Sequence, residues 1–133
     1  MNPFVGRWIA NIEKSRRHAN HQFESATLTF ELVGNSVSLT HAGVNMSGKH
    51  ESGTTVFHPD GEEHEVSPRA PGVVAVTTWI GTHVLESVAK KDGRSLGKGT
   101  YAVSEDGRTL TATVAGTDAA GAPFEQVIVF DRE

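Results

Sequence analysis

From Gly6 to Asp131 this sequence is a succession of short β-patterned runs, each closed by residues that turn the chain. No stretch of helical period is longer than about ten residues, and the one helical candidate is a turn within Glu13–Phe23. The turn signals are Gly34-Asn35, Asp60-Gly61, Asp92-Gly93, Asp106-Gly107 and Ala119-Ala120-Gly121. Asp-Gly tolerates the positive φ angles that tight hairpin turns demand. The runs between the turns are Gly6–Ile12, Ala26–Val33, Ser36–Gly43, Thr54–His58, His64–Val66, Val73–Ile80, His83–Lys90, Gly99–Ser104, Thr109–Gly116 and Phe124–Asp131. Within them Leu28, Phe30 and Leu32 alternate with Thr27, Thr29 and Glu31, and Leu110, Ala112 and Val114 with Thr109, Thr111 and Thr113. Period two gives each strand one dry and one wet face. A meander with no helix to cover its dry face is expected to curl and close, which also removes its edges. The predicted fold is therefore all-β, a single antiparallel up-and-down β-barrel of about eight to ten strands. A β-sandwich competes, but its long crossovers are disfavoured by turns this short.

A chain of 133 residues has room for one core, so residues 1–133 read as a single domain. Without cysteine there is no disulfide frame, no thiolate catalyst and no thiolate metal site. The start, Met1-Asn2-Pro3-Phe4, has neither a basic nor an apolar leader region, so no signal peptide is expected. Together with the missing thiols this predicts a cytoplasmic location. No apolar run approaches the roughly 20 residues of a membrane-spanning helix. The net charge is −4, and its 12 basic side chains form no stripe, which argues against nucleic acid as a partner. The one basic cluster, Lys14, Arg16, Arg17, His18 and His21, reads as a solvated loop. Val73–Ile80 is apolar on both faces, with Val74, Val76 and Ile80 on one and Val73, Ala75 and Trp79 on the other. Such a strand needs a partner outside the sheet, either a second copy in a homodimer or cover from Glu13–Phe23.

Phe4-x-Gly6-x-Trp8 at the head of such a meander resembles the opening motif of the calycins, the lipocalins and cellular fatty-acid-binding proteins. The resemblance implies a lipocalin-like barrel whose tryptophan plugs the closed end, covered by an arginine near the end of the last strand. The matching positions are Trp8 and Arg132. The stretches around Tyr101 and Gly116 also resemble uncharacterised bacterial lipocalin-like proteins. Two departures count against a standard fatty-acid carrier. Glu13–Glu24 is too short for the two-helix lid, and Ile128-x-Phe130 stands where an Arg-x-Tyr pair would hold the ligand carboxylate. The disulfide of secreted lipocalins is impossible without cysteine.

The expected function is to bind a small, largely hydrophobic molecule inside the barrel. Trp8, Phe30, Leu39, Val76, Leu110, Ile128 and Phe130 are the expected apolar lining. His41 continues the inward face of Val37 and Leu39, and His83 shares parity with Leu85; Tyr101 and Gln126 fall on inward parity in their strands. Each of these four offers a polar group to orient a ligand in an apolar wall. The alternatives are an isomerase or cyclase using a luminal His or Tyr as proton shuttle, and a haem-binding barrel with an inward histidine as iron ligand. Of the remaining histidines, His18-x-x-His21 lacks a third ligand nearby, and His50, His58 and His64 read as a solvated rim. No hydrolase, metalloprotease or dinucleotide motif occurs, and Gly93-x-x-x-Gly97-Lys98-Gly99-Thr100 lacks the spacing of a phosphate loop. No catalytic residue, metal or cofactor is expected.

Overall fold

The alternating runs form ten strands in the computed structural model, which describes residues 3–16, 23–65, 72–117 and 121–133. They are β1 Gly6–Arg16, β2 Phe23–Val33, β3 Ser36–Asn45, β4 His50–Phe57, β5 Glu63–Glu65, β6 Val73–Ile80, β7 Val84–Lys91, β8 Arg94–Val103, β9 Thr109–Thr117 and β10 Pro123–Arg132. Residues 17–22, with Arg17, His18, His21 and most of the expected helical turn, lie outside the described residues. One of the two signalled two-residue hairpins behaves as its residues dictate. Asp92 (φ 52°) and Gly93 (φ 77°) both take positive φ, as a two-residue turn of the primed type requires.

All ladders are antiparallel, and the strands form one sheet in the order β4-β3-β2-β1-β10-β9-β8-β7-β6-β5. Strands β1 and β10 pair, joining the two ends of the chain (Trp8 opposite Arg132, Ala10 opposite Phe130). The sheet curls strongly. Phe57 of β4 packs 6.1 Å from Tyr101 of β8, although six strand positions separate them along the ladder.

It does not close. The expected β-barrel is corrected here, because β4 and β5 end the ladder as two edges that are not hydrogen-bonded to each other. The described part of β5, Glu63-His64-Glu65, pairs with Val74–Val76 of β6 along one edge, and its other edge does not meet β4. Its glutamates are exposed, a common protection of a free edge against further strand pairing. Side chains bridge the gap instead: the rings of His58 and His64 lie 4.6 Å apart.

The inward faces fill one half of the curl. Phe4, Trp8, Phe30, Val37, Leu85 and Leu110 are all at most 1% exposed. Phe4 sits 5.4 Å from Phe30 and 5.3 Å from Trp79, and its carbonyl accepts the Trp8 indole N–H at 3.0 Å. Arg132 seals this end. Its guanidinium lies 4.2 Å from the centre of the Trp8 ring, donates from Nε to the Gly107 carbonyl (2.7 Å) and from Nη1 to Val5 (3.0 Å), and bonds the Pro3 carbonyl through Nη2. That contact explains the glycine of the opening motif. Gly6 has φ 134°, and a Cβ there would stand 2.6 Å from Arg132 Nη1.

Candidate binding site

Away from Trp8 the same inward face changes character. Gly43, Gly53, Gly97, Gly99 and Gly116 all occupy inward positions, as the register shows: Gly43 is level with Ala26, Gly53 with His41, Gly99 with Val114, and Gly97 with Gly116. Glycine inside a strand weakens it and signals close approach or missing volume. Both occur. A Cβ on Gly43, Gly97 or Gly116 would meet neighbouring backbone oxygen at 3.0 Å or less, so these let the strands bend and approach. Gly53 leaves room for the His41 ring, whose Cε1 would be 2.8 Å from a Cβ there. A Cβ on Gly99 would meet only the Tyr101 ring, at 3.7 Å and beyond.

The result is a hollow of about 370 Å³ lined by Phe57, Ser87, Leu96, Tyr101, Val114 and Phe124, among others. A second one, of about 160 Å³, lies in the gap between β4 and β5 and shares Phe57, Ser87 and Ala89 with the first. A further hollow of about 480 Å³ lies at the sealed end between the β2–β3 turn and the β4–β5 loop, against Trp79. Turn residues such as Gly34, Asn35 and Pro59 line it, so it is a surface recess and not the interior.

Tyr101 stands at the floor of the first hollow, half-buried. Its ring packs edge-on to Phe30 at 5.8 Å, and its hydroxyl reaches back over Gly99, 3.8 Å from where a Cβ would be. Burial pushes the phenol above its ordinary value, so the hydroxyl keeps its proton. Among the described residues it has no hydrogen-bond partner. Beside it, Thr77, only 2% exposed, donates from Oγ1 to Ser87 Oγ at 3.1 Å. Ser87 is the cross-strand neighbour of Gly99, so the two hydroxyls flank one glycine.

The expected lining divides by depth. Trp8, Phe30, Leu110 and Phe130 belong to the filled end, and Leu39 and Ile128 are buried above them. Gln126, level with Val114, faces inward near the open end. His41 faces inward but is exposed, resting against Gly53. Two residues do not join the site. Val76 points outward beside Val88, because its neighbour Thr77 takes the inward position with Ser87. His83 belongs to the turn before β7 and bonds Thr82 Oγ1 through Nδ1 at 2.7 Å, so it lines no wall.

Sequence reasoning missed Thr77, Ser87, Phe57 and His64. Thr77 was legible in parity, sharing the face of Ala75 and Trp79. Phe57 and His64 line one gap only because the sheet curls. Among the described residues no cluster of histidine or carboxylate side chains is placed to hold a metal ion.

No family model matches this chain, and no curated protein matches it. Solved structures do. A Schistosoma mansoni fatty acid binding protein in complex with arachidonic acid superposes with a TM-score of 0.65 at 19% identity, over 100% of this chain and 98% of that one. Zebrafish ileal bile acid-binding protein complexed with cholic acid gives 0.59 at 11% identity, over 98% and 99%. Apocrustacyanin C2 gives 0.54 at 10% identity, with this chain spanning 62% of its length. The fold is calycin-like. At such identities the likeness concerns the fold alone, and within it this calycin-like sheet is unclosed between β4 and β5.

Proposed function

We propose that the protein binds a small, largely apolar ligand in the hollow between Phe57, Tyr101 and Phe124. The observation that carries this is the change along one face: large side chains fill the Trp8 end, and glycines leave about 370 Å³ at the other. That volume falls within the usual range of small-molecule pockets, roughly 300–1,000 Å³. The similar structures with arachidonic acid and cholic acid support a ligand of this general kind. Affinity would come mainly from burying ligand apolar surface, at about 25 cal/mol per Å² before association costs. The role is carriage or storage without chemistry. The haem reading loses His83 to a turn and finds His41 exposed against Gly53, and the isomerase or cyclase reading is left with the Tyr101 hydroxyl alone. The proposed setting is the reducing cytoplasm, which suits a chain without cysteine.

Native mass spectrometry of freshly purified protein tests the reading and should show a co-purified adduct, or uptake of the neutral fluorescent probe N-phenyl-1-naphthylamine. Failure to bind either would overturn it. As a protein partner we propose a second copy on the outward face of Val73–Ile80, where Val74 and Val76 are half-buried and Ile80 is exposed. A monomer mass by light scattering at high concentration would exclude it.

A further inference from the structure

We infer that the hollow selects a neutral lipid bearing one hydroxyl or carbonyl oxygen and rejects the carboxylate of the same chain length. This rests on the binding role proposed above. The argument starts from charge. Among the described residues, Lys98 is the only lysine or arginine that lines the hollow; Lys91 and Arg94, paired beyond Ala89 on the same face, are exposed at the β7–β8 turn. Arg132 lies at the other end, beneath Trp8, committed to three carbonyls. Lys98 reaches the rim from an outward position and is held by Glu86 at 3.2 Å. The ionisable groups along the gap are His58, bonded to Ser36 Oγ at 3.1 Å, His64, already bonded to Asp60 at 2.7 Å, and Glu65, whose charge opposes an anion. A carboxylate drawn into this wall would lose its hydration and gain no cation, which is the costly way to bury a charge.

The polar groups that are present suit an uncharged oxygen. Tyr101 presents a protonated hydroxyl over Gly99, and Ser87 stands across from the same glycine. Ser87 Oγ already accepts from Thr77, so its own hydrogen is left to donate. Two hydroxyl donors around one spot in an apolar hollow satisfy a single ligand hydroxyl or carbonyl. They discriminate strongly, because a ligand lacking that oxygen leaves both donors unmet.

The test is displacement of N-phenyl-1-naphthylamine by dodecan-1-ol and by dodecanoate at pH 8, where the acid is ionised. Dodecanol should displace the probe at concentrations at least tenfold below dodecanoate. Gln126→Arg, which supplies the missing cation on the inward wall, should narrow that gap at least tenfold by improving dodecanoate. Tyr101→Phe and Ser87→Ala should each weaken dodecanol about fivefold more than they weaken the probe. Wild-type dodecanoate binding as tight as dodecanol overturns the inference while leaving the binding role standing. Unchanged dodecanol affinity in both hydroxyl variants overturns it as well. A protein that takes up neither probe nor lipid overturns the binding role, and this inference with it.

Discussion

Arg132→Ala should destabilise the protein by about 3 kcal/mol, although the residue is exposed and stands next to the last in the chain. The guanidinium makes three bonds to main-chain carbonyls, of Gly107, Val5 and Pro3, and covers the Trp8 ring at 4.2 Å. Charge-assisted bonds are worth about 1.5–3 kcal/mol in general, but solvent access to Arg132 lowers each to roughly 0.5–1. A cation–π contact at an exposed site adds about 0.5–1 kcal/mol. The contributions sum to about 2–4 kcal/mol, and the fall in Tm should be on the order of 10 °C for a chain of this size. Guanidinium denaturation followed by tryptophan fluorescence measures it. Arg132→Lys keeps a charge near Trp8 but has no planar fork to reach three carbonyls, so it should recover less than half of the loss. Gly6→Ala should cost about 2 kcal/mol, because φ 134° suits glycine alone and a Cβ would displace the guanidinium. Combined with Arg132→Ala, its effect should be clearly less than additive, since both break one contact. A loss below about 0.5 kcal/mol for Arg132→Ala, or strict additivity with Gly6→Ala, would refute the account of the sealed end.

Three further outcomes are expected. Gly99→Ala, whose added methyl meets only the Tyr101 ring at ordinary contact distance, should stabilise the protein by about 0.5–1 kcal/mol and weaken probe binding; thermal melts and probe titration read the two effects. Asp106 is held below its ordinary carboxyl value of 3.8 by the Ser104 hydroxyl and then by the Arg108 amide. Its stabilising contribution is therefore present above pH 4 and lost as pH falls through the lowered value, so the deficit of Asp106→Asn at pH 7 should vanish in acid-titrated denaturation curves. Alternate amides of β4, those directed away from β3, should exchange with solvent much faster than their neighbours by NMR, and uniform protection along β4 would contradict the open edge.

The strands that the sequence makes legible are those whose inward residues are large. Val73–Ile80 is recovered to the residue, and Thr109–Gly116 and Phe124–Asp131 fall short only at their ends, because Leu110, Ala112, Ile128 and Phe130 mark the inward parity. The poorly legible strands are β4, β8 and β1, the last read to Ile12 with a helical turn after it whereas it runs to Arg16. Reading of the first two begins at Thr54 and Gly99, whereas the strands begin at His50 and Arg94. In the missing portions of β4 and β8 the inward positions include Glu51, Gly53 and Gly97, so no apolar alternation exists to be seen. The gap between β4 and β5 was hidden for another reason: closure is a pairing between the two ends of the sheet, which alternation within each strand does not encode. Val76 was misassigned because its strand is apolar on both faces, and only the buried pair Thr77–Ser87 identifies the inward one.

The missing alternation and the hollow therefore have one origin. A strand reveals itself through inward side chains, and those are what a binding cavity must do without. The calycin-like sheet divides the two demands along its axis. At the Trp8 end, buried aromatic and aliphatic side chains with Arg132 beneath them supply tertiary stability. At the other end the wall is held mainly by its backbone ladders, which glycine keeps intact at a cost in local stiffness. The unpaired edges of β4 and β5 border this second region, since Phe57, His64 and Ala75 line the gap and the hollow joins it at Phe57 and Ser87. In the proposed binding role, a wall with two such edges and glycine on its inner face would part to admit a ligand without disturbing the packed half. Substitutions at the sealed end should then move stability and leave binding selectivity alone, while those around Gly99, Tyr101 and Ser87 should move selectivity at little cost in stability.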